Sequence, residues 1–131
     1  MEIIELKPAH TDERGAITDL IAEEGINAVT VITFAKGAVR ANHFHKHTVQ
    51  WNYVMQGEVL LATQLPGGER VQRVLRKGDF AVTRENESHA LQGLTEAEVL
   101  ILTRGPRAGS QYEDDTFRLA QPLIEPVLEH A

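Results

Sequence analysis

The chain has 131 residues, a formal net charge of −6 at pH 7 and no cysteine. Its acidic balance argues against a nucleic-acid partner or an anionic membrane surface, since both require a basic face. The absence of cysteine excludes disulfides and thiolate chemistry. No apolar run is long enough for a membrane span and the N-terminus does not resemble a signal peptide, so we expect one cytoplasmic domain over residues 1–131.

Short apolar or alternating segments separated by turn residues dominate the chain. A helical period is not sustained anywhere, and this pattern predicts an all-β barrel or sandwich. We expect the tail after residue 104 to lie across the barrel or a partner. The predicted strands, in chain order, are 2–6, 16–22, 28–35, 39–45, 49–56, 58–65, 70–76, 80–83, 88–92 and 97–103.

The strand at 49–56 has two contrasting faces. If Gln50 points into the barrel, a period of two sends Trp51, Tyr53 and Met55 to the outer face. That much apolar surface requires a cover. Packing against another part of the same chain and packing against a second subunit both remain open.

Three histidines and one glutamine are placed to share a pocket. His43 and His45 are two apart, so on a strand both imidazoles leave the same face. Gln50 falls on the returning strand, and His89 comes from a later one. Three imidazoles and an amide oxygen suit a divalent transition metal, with Zn, Ni, Mn, Fe and Cu all compatible. Hydrogen-bonded barrel histidines without metal are the alternative.

A glutamine ligand changes the chemistry of such a site. A neutral amide leaves the full charge on the metal, which makes it a stronger Lewis acid. It also provides no carboxylate base, so proton transfer requires another group. The candidates are His47, which is two residues from His45, and Arg40, which reaches the same face only if the strand is bulged; an exposed turn histidine and a solvated arginine are the alternatives. His10 and His130 are isolated and are expected at the surface.

These spacings resemble the first motif of the cupin superfamily. That motif consists of a glycine, five residues, His-x-His, four residues, a carboxylate, six residues and a glycine. This chain matches it with Gly37, His43, His45, Gln50 and Gly57, with an amide in place of the carboxylate. The family has glutamate where this chain has Gln50. The resemblance implies a double-stranded β-helix, or jelly-roll barrel, with its core at about residues 28–104.

The second cupin motif is matched more loosely. Gly78 and His89 are in register, while Gly93 stands where the family has asparagine. Together the two motifs imply that His43, His45, Gln50 and His89 are metal ligands.

Two narrower resemblances point to oxygen-rich carbohydrate derivatives as substrates. The ligand set is similar to that of small cupins that linearise unsaturated uronates from pectin and alginate breakdown. The segment Asp12-Glu13-Arg14-Gly15, together with Arg40 and His43, is similar to nucleotide-sugar ketoisomerases and epimerases, in which the histidines act as acid/base groups without metal.

The favoured interpretation is a metal-dependent cupin enzyme that polarises a carbonyl or enediol of a small sugar-derived or keto-acid substrate for isomerisation or tautomerisation. A dioxygenase with Fe, Cu or Ni, a metal-free nucleotide-sugar isomerase or epimerase, and a non-catalytic ligand-binding or sensory cupin remain alternatives. We also predict a homodimer. This prediction rests on the apolar outer face of strand 49–56, on the apolar N-terminal strand and on the dimers that are common in the family.

Overall fold

The structure is a computed structural model that describes residues 1–126. It contains twelve strands and one short helix, α1 (Gln111–Asp114), within that range. The strands are β1 (Glu2–Ile4), β2 (His10–Asp12), β3 (Gly15–Ile17), β4 (Ala28–Phe34), β5 (Val39–Phe44), β6 (Val49–Gln56), β7 (Glu58–Gln64), β8 (Val71–Arg76), β9 (Phe80–Thr83), β10 (Ser88–Gly93), β11 (Ala97–Arg104) and β12 (Phe117–Arg118). Over residues 1–126, no helix is both long and apolar enough to cross a membrane.

Two five-stranded antiparallel sheets form the barrel. The first has the order β1-β9-β6-β11-β4 and the second β12-β5-β10-β7-β8, while β2 and β3 pair separately as a hairpin. The predicted all-β jelly roll is therefore confirmed. Buried side chains between the sheets, among them Val54, Leu61, Leu75 and Val99, form the main core.

The central strands follow the sequence pattern closely. β6 and β9 occupy the predicted residues, and β4 ends one residue before its predicted limit. The predicted strand over 16–22 is wrong beyond Ile17, where β3 ends. Leu20 and Ile21 instead pack as loop residues on the outside of the first sheet, so their apolar character serves packing and not a strand alternation.

The outer face of β6 is covered by its own chain. Trp51 is only 3% exposed and packs in a cluster with Phe80 and Leu102, beneath Leu6 and Leu20 from the N-terminal segment. Packing within the chain therefore accounts for Trp51, whereas Tyr53 and Met55 on the same face are only partly buried. The homodimer stays a prediction.

The tail crosses the second sheet of the same barrel. β12 pairs with β5, with Phe117 opposite Phe44 and Arg118 opposite His43. Farther along, Ile124 is buried against the outside of the sheet. His130 lies outside the described residues, and His10 is exposed beside Asp12 as expected.

Candidate metal and substrate site

A bulge in β5 sets the direction of the first motif. Ala41 and Asn42 both have positive φ, at 72° and 57°, and the pairing with β10 shifts register beside His89. The Asn42 side chain fixes this backbone, because its amide donates to the Ile124 carbonyl at 2.9 Å and accepts from the Leu123 N–H at 2.8 Å.

The bulge brings Arg40 to the cavity wall. Its guanidinium donates to the Thr33 carbonyl at 3.1 Å and lies 5.5 Å from the centre of the Phe34 ring. Arg40 therefore bridges β5 to the free edge of β4 while lining the cavity. Its side chain is exposed at the cavity edge, so the site role of Arg40 stays a prediction.

His43, His45 and His89 form one buried cluster, in which they are 7%, 1% and 3% exposed. Their ring centres are separated by 4.6 Å (His43 to His45), 4.7 Å (His43 to His89) and 5.3 Å (His45 to His89). One nitrogen from each ring lies within 4.8 Å of the others. The sequence prediction that these histidines converge is correct.

Backbone carbonyls fix the protonation of two of the rings. Nδ1 of His45 donates to the Asp115 carbonyl at 2.9 Å, and Nδ1 of His89 donates to the Glu87 carbonyl at 3.1 Å. Because a carbonyl only accepts, each ring carries its proton on Nδ1 and keeps the Nε2 lone pair. Nδ1 of His43 is buried with no hydrogen-bond partner among the described residues.

The environment keeps the three imidazoles neutral. Burial, reinforced by the neighbouring His89, lowers the pKa of His43 to about 2. Burial likewise lowers the pKa of His89 to about 4, and it lowers the pKa of His45 against the opposing effect of the Asp115 carbonyl. Neutral imidazole is the form that binds a metal.

The cluster opens onto a cavity of about 190 Å³ inside the barrel. One wall is polar and includes His43, Gln50, Asn52 and His89. Apolar side chains line the rest of the cavity: Ile32, Phe34, Leu91, Val99 and Ile101. Gln50 is 7% exposed and faces the cavity, as its predicted role as a ligand requires.

His47 lies away from this cavity. The strand alternation that would align it with His45 ends at the bend of residues 46–47, and its side chain is exposed there. Its backbone N–H is held by Asp115, whose carboxylate also accepts from Lys46 N and from the Thr48 hydroxyl. The structure therefore does not support the predicted acid/base role of His47.

The C-terminal segment supplies functional candidates that the sequence reasoning missed. The Tyr112 hydroxyl lies 3.3 Å from Nε2 of His45, and the Arg107 guanidinium lies 4.2 Å from the centre of the Tyr112 ring. Both residues line the cavity. Asp115, only 4% exposed, ties the same segment to the bend after His45. The sequence signal for this segment is an aromatic residue, Tyr112, within the otherwise polar stretch Gln111-Tyr112-Glu113-Asp114.

The residues present fit a divalent transition metal. Three neutral imidazoles converge, two have lone pairs fixed by backbone acceptors, and the buried Nδ1 of His43 lacks a partner among the residues described. Gln50 adds an amide oxygen on the same wall. Nitrogen-rich sets of this kind prefer Zn, Ni, Cu, Fe or Mn to Mg or Ca.

Comparison with known proteins gives matches of three kinds. The sequence profile of the Cupin domain family matches residues 30–103. The pectin degradation protein KdgF of Dickeya dadantii is 36% identical over 76 residues, covering 58% of this chain and 64% of that protein, less than two thirds of its length.

Solved structures share the fold. A 3,4-ketoisomerase from Helicobacter canadensis superposes with a TM-score of 0.73 at 19% identity, covering 89% of each chain. The dTDP-4-dehydrorhamnose 3,5-epimerase from Sulfolobus tokodaii has a TM-score of 0.72 at 15% identity, covering 95% of this chain and 86% of that one. At these identities the likeness shows the fold alone.

Proposed function

The chain belongs to the cupin family, and on that basis we propose that it is a metal-dependent enzyme that isomerises or tautomerises a small sugar-derived carbonyl compound. The observation that carries the proposal is the buried cluster of His43, His45 and His89, with Gln50 lining the same barrel cavity. The match to a pectin degradation protein supports sugar-derived substrates.

The cavity suits a small substrate. Its volume of about 190 Å³ lies below the roughly 300–1,000 Å³ that pockets for drug-sized ligands occupy. A molecule of monosaccharide size therefore fits inside the barrel, whereas most of a nucleotide sugar would lie outside it. The match to a pectin degradation protein, together with the similarity of the ligand set to cupins that linearise unsaturated uronates, favours an unsaturated uronate or the keto acid derived from it.

The polar wall binds the metal and the oxygens of the substrate. When bound, a divalent transition metal supplies positive charge that polarises a carbonyl oxygen and stabilises the negative charge developing on it. His43, His45 and His89 hold the ion as neutral ligands, and the neutral Gln50 leaves its charge undiminished. Asn52, anchored by its bond to the Ala81 carbonyl at 3.1 Å, completes this wall.

The remaining walls orient the substrate and exclude water. Phe34, Leu91 and Ile101 present carbon atoms to the C–H face of a sugar. Arg40 and Arg107 place positive charge at the cavity, where a carboxylate of the substrate is attracted. A low-dielectric wall strengthens each of these interactions.

The first test is elemental analysis of tag-free protein purified without added metal, beside Gln50→Ala and His89→Ala. We expect stoichiometric metal in the parent protein and its loss from the variants. Iron or copper would instead favour oxygen chemistry. No bound metal, even after soaking, would refute the proposal and favour metal-free histidine chemistry.

The second test is turnover. Unsaturated monouronates are incubated with the metal-loaded protein, and the conversion of the ring form is followed by NMR. His43→Ala should abolish the acceleration while retaining the fold by circular dichroism. Binding of the uronate without any turnover would indicate a ligand-binding cupin.

A further inference from the structure

Tyr112 lies between His45 and the cavity. The two rings are 5.0 Å apart, and the hydroxyl is 3.3 Å from Nε2 of His45. His45 is only 1% exposed and does not reach the cavity surface, whereas Tyr112 lines it. A ligand in the cavity therefore meets Tyr112 before it meets His45.

His45 has a single lone pair to offer. Its Nδ1 proton is committed to the Asp115 carbonyl, which leaves Nε2 as the acceptor. The Tyr112 hydroxyl, 3.3 Å from that atom, is the donor of the pair because Nε2 carries no proton. The phenol O–H and a metal ion therefore compete for the same lone pair.

We propose that Tyr112 is a displaceable cap on His45, which a metal ion removes when it takes Nε2. The freed hydroxyl then turns into the cavity and donates a hydrogen bond to an oxygen of the molecule bound beside the metal. This inference rests on the proposed function, because it requires the metal site. It assigns Tyr112 to the substrate wall of the loaded protein.

The surroundings of Tyr112 allow such a turn. The Arg107 guanidinium lies 4.2 Å from the centre of the ring, and both residues line the cavity. The backbone of Tyr112 is held separately, since its carbonyl accepts from the Thr116 hydroxyl at 2.6 Å. A change in the side-chain torsion can therefore move the hydroxyl while the segment stays in place.

The test measures metal affinity in Tyr112→Phe, with Tyr53→Phe as the matched control. The chain has only these two tyrosines, and Tyr53 packs on Phe80 away from the cluster. Zn²⁺ is titrated into metal-free protein in competition with a chromophoric chelator. Removing the competing donor should tighten Zn²⁺ binding by about 2- to 10-fold in Tyr112→Phe, with no change in Tyr53→Phe.

A second readout follows the hydroxyl itself. Adding Zn²⁺ to the wild type and to Tyr53→Phe should give a tyrosine ultraviolet difference spectrum, which Tyr112→Phe should lack. The direction of the affinity change is diagnostic, because a merely structural role for the hydroxyl predicts weaker binding when it is lost.

Unchanged or weaker Zn²⁺ binding in Tyr112→Phe would overturn the inference while leaving the metal site intact. Failure of the wild type and Tyr53→Phe to bind Zn²⁺ would instead overturn the proposed function, and the inference with it. Equal thermal midpoints of the metal-free proteins serve as the check that the fold is retained.

Discussion

Replacing Asp115 by alanine removes the acceptor that holds the bend after His45. The carboxylate accepts from Lys46 N at 3.0 Å, from His47 N at 3.0 Å and from the Thr48 hydroxyl at 2.6 Å. Burial alone would raise the pKa of Asp115, but these hydrogen bonds outweigh it and hold that pKa below its usual value. The carboxylate is therefore ionised at neutral pH, and its hydrogen bonds are of the stronger, charge-assisted kind.

The three donors respond differently to the loss. Water can replace the acceptor at Lys46 and His47, which are exposed, but the Thr48 hydroxyl is buried with its residue only 1% exposed. The unpaired Thr48 hydroxyl and the lost charge-assisted hydrogen bonds together should lower the free energy of unfolding by about 3 kcal/mol. Asp115→Asn should cost only about 1 kcal/mol, because its carbonyl oxygen still accepts from both N–H groups and Thr48 can accept from its amide.

Urea unfolding of the metal-free variants measures these differences, and metal content is measured in parallel. We expect Asp115→Ala to bind metal more weakly because the bend no longer holds His45 in place, and Asp115→Asn to bind nearly as well as the wild type. If Asp115→Ala lowers the free energy of unfolding by less than about 1 kcal/mol, or leaves metal affinity unchanged, this carboxylate does not support the site.

Three further predictions concern pH, the bend and the outer face. Because the pKa of His43 is near 2 and that of His89 near 4, against an ordinary 6.5, the unfolded chain binds more protons than the folded metal-free protein between pH 6.5 and about 4. The free energy of unfolding should therefore fall with decreasing pH by about 1.4 kcal/mol per unit for each histidine; a slope in urea unfolding that is not reduced by His89→Gln would contradict this. His47→Ala should change stability by less than about 0.5 kcal/mol and leave metal content and turnover intact, and a loss of turnover would restore its predicted acid/base role. Trp51→Ala should lower the free energy of unfolding by about 3–5 kcal/mol in the same assay. A loss of stability that is seen only when the protein is diluted would point to a subunit interface.

Much of the barrel is encoded locally. Alternation and turn residues set the ends of β6 and β9, because a strand buried on one or both faces has little freedom to slip. The strand predicted over residues 16–22 was wrong because the loop residues that cover Trp51 are as apolar as strand residues. Periodicity reports burial, and it identifies a strand only where the burial alternates.

Half of the site is local and half is not. His43, His45 and Gln50 lie within eight residues of one another, so their strand spacing predicts their meeting. Tyr112 and Asp115 reach His45 from 67 and 70 residues away through a loop and a one-turn helix. No period marks such a segment, and its position depends on the pairing of two residues in β12.

The Asp115 carbonyl that orients His45 comes late in the chain. It lies 70 residues after its partner, and contacts between residues so far apart in sequence are slow to form because a long loop must close first. During synthesis, a chain that has emerged as far as β11 would carry its histidines but neither the acceptor for His45 nor the tyrosine above it. We therefore expect the proposed metal to bind after the segment that carries Asp115 has docked, and not to nucleate the barrel.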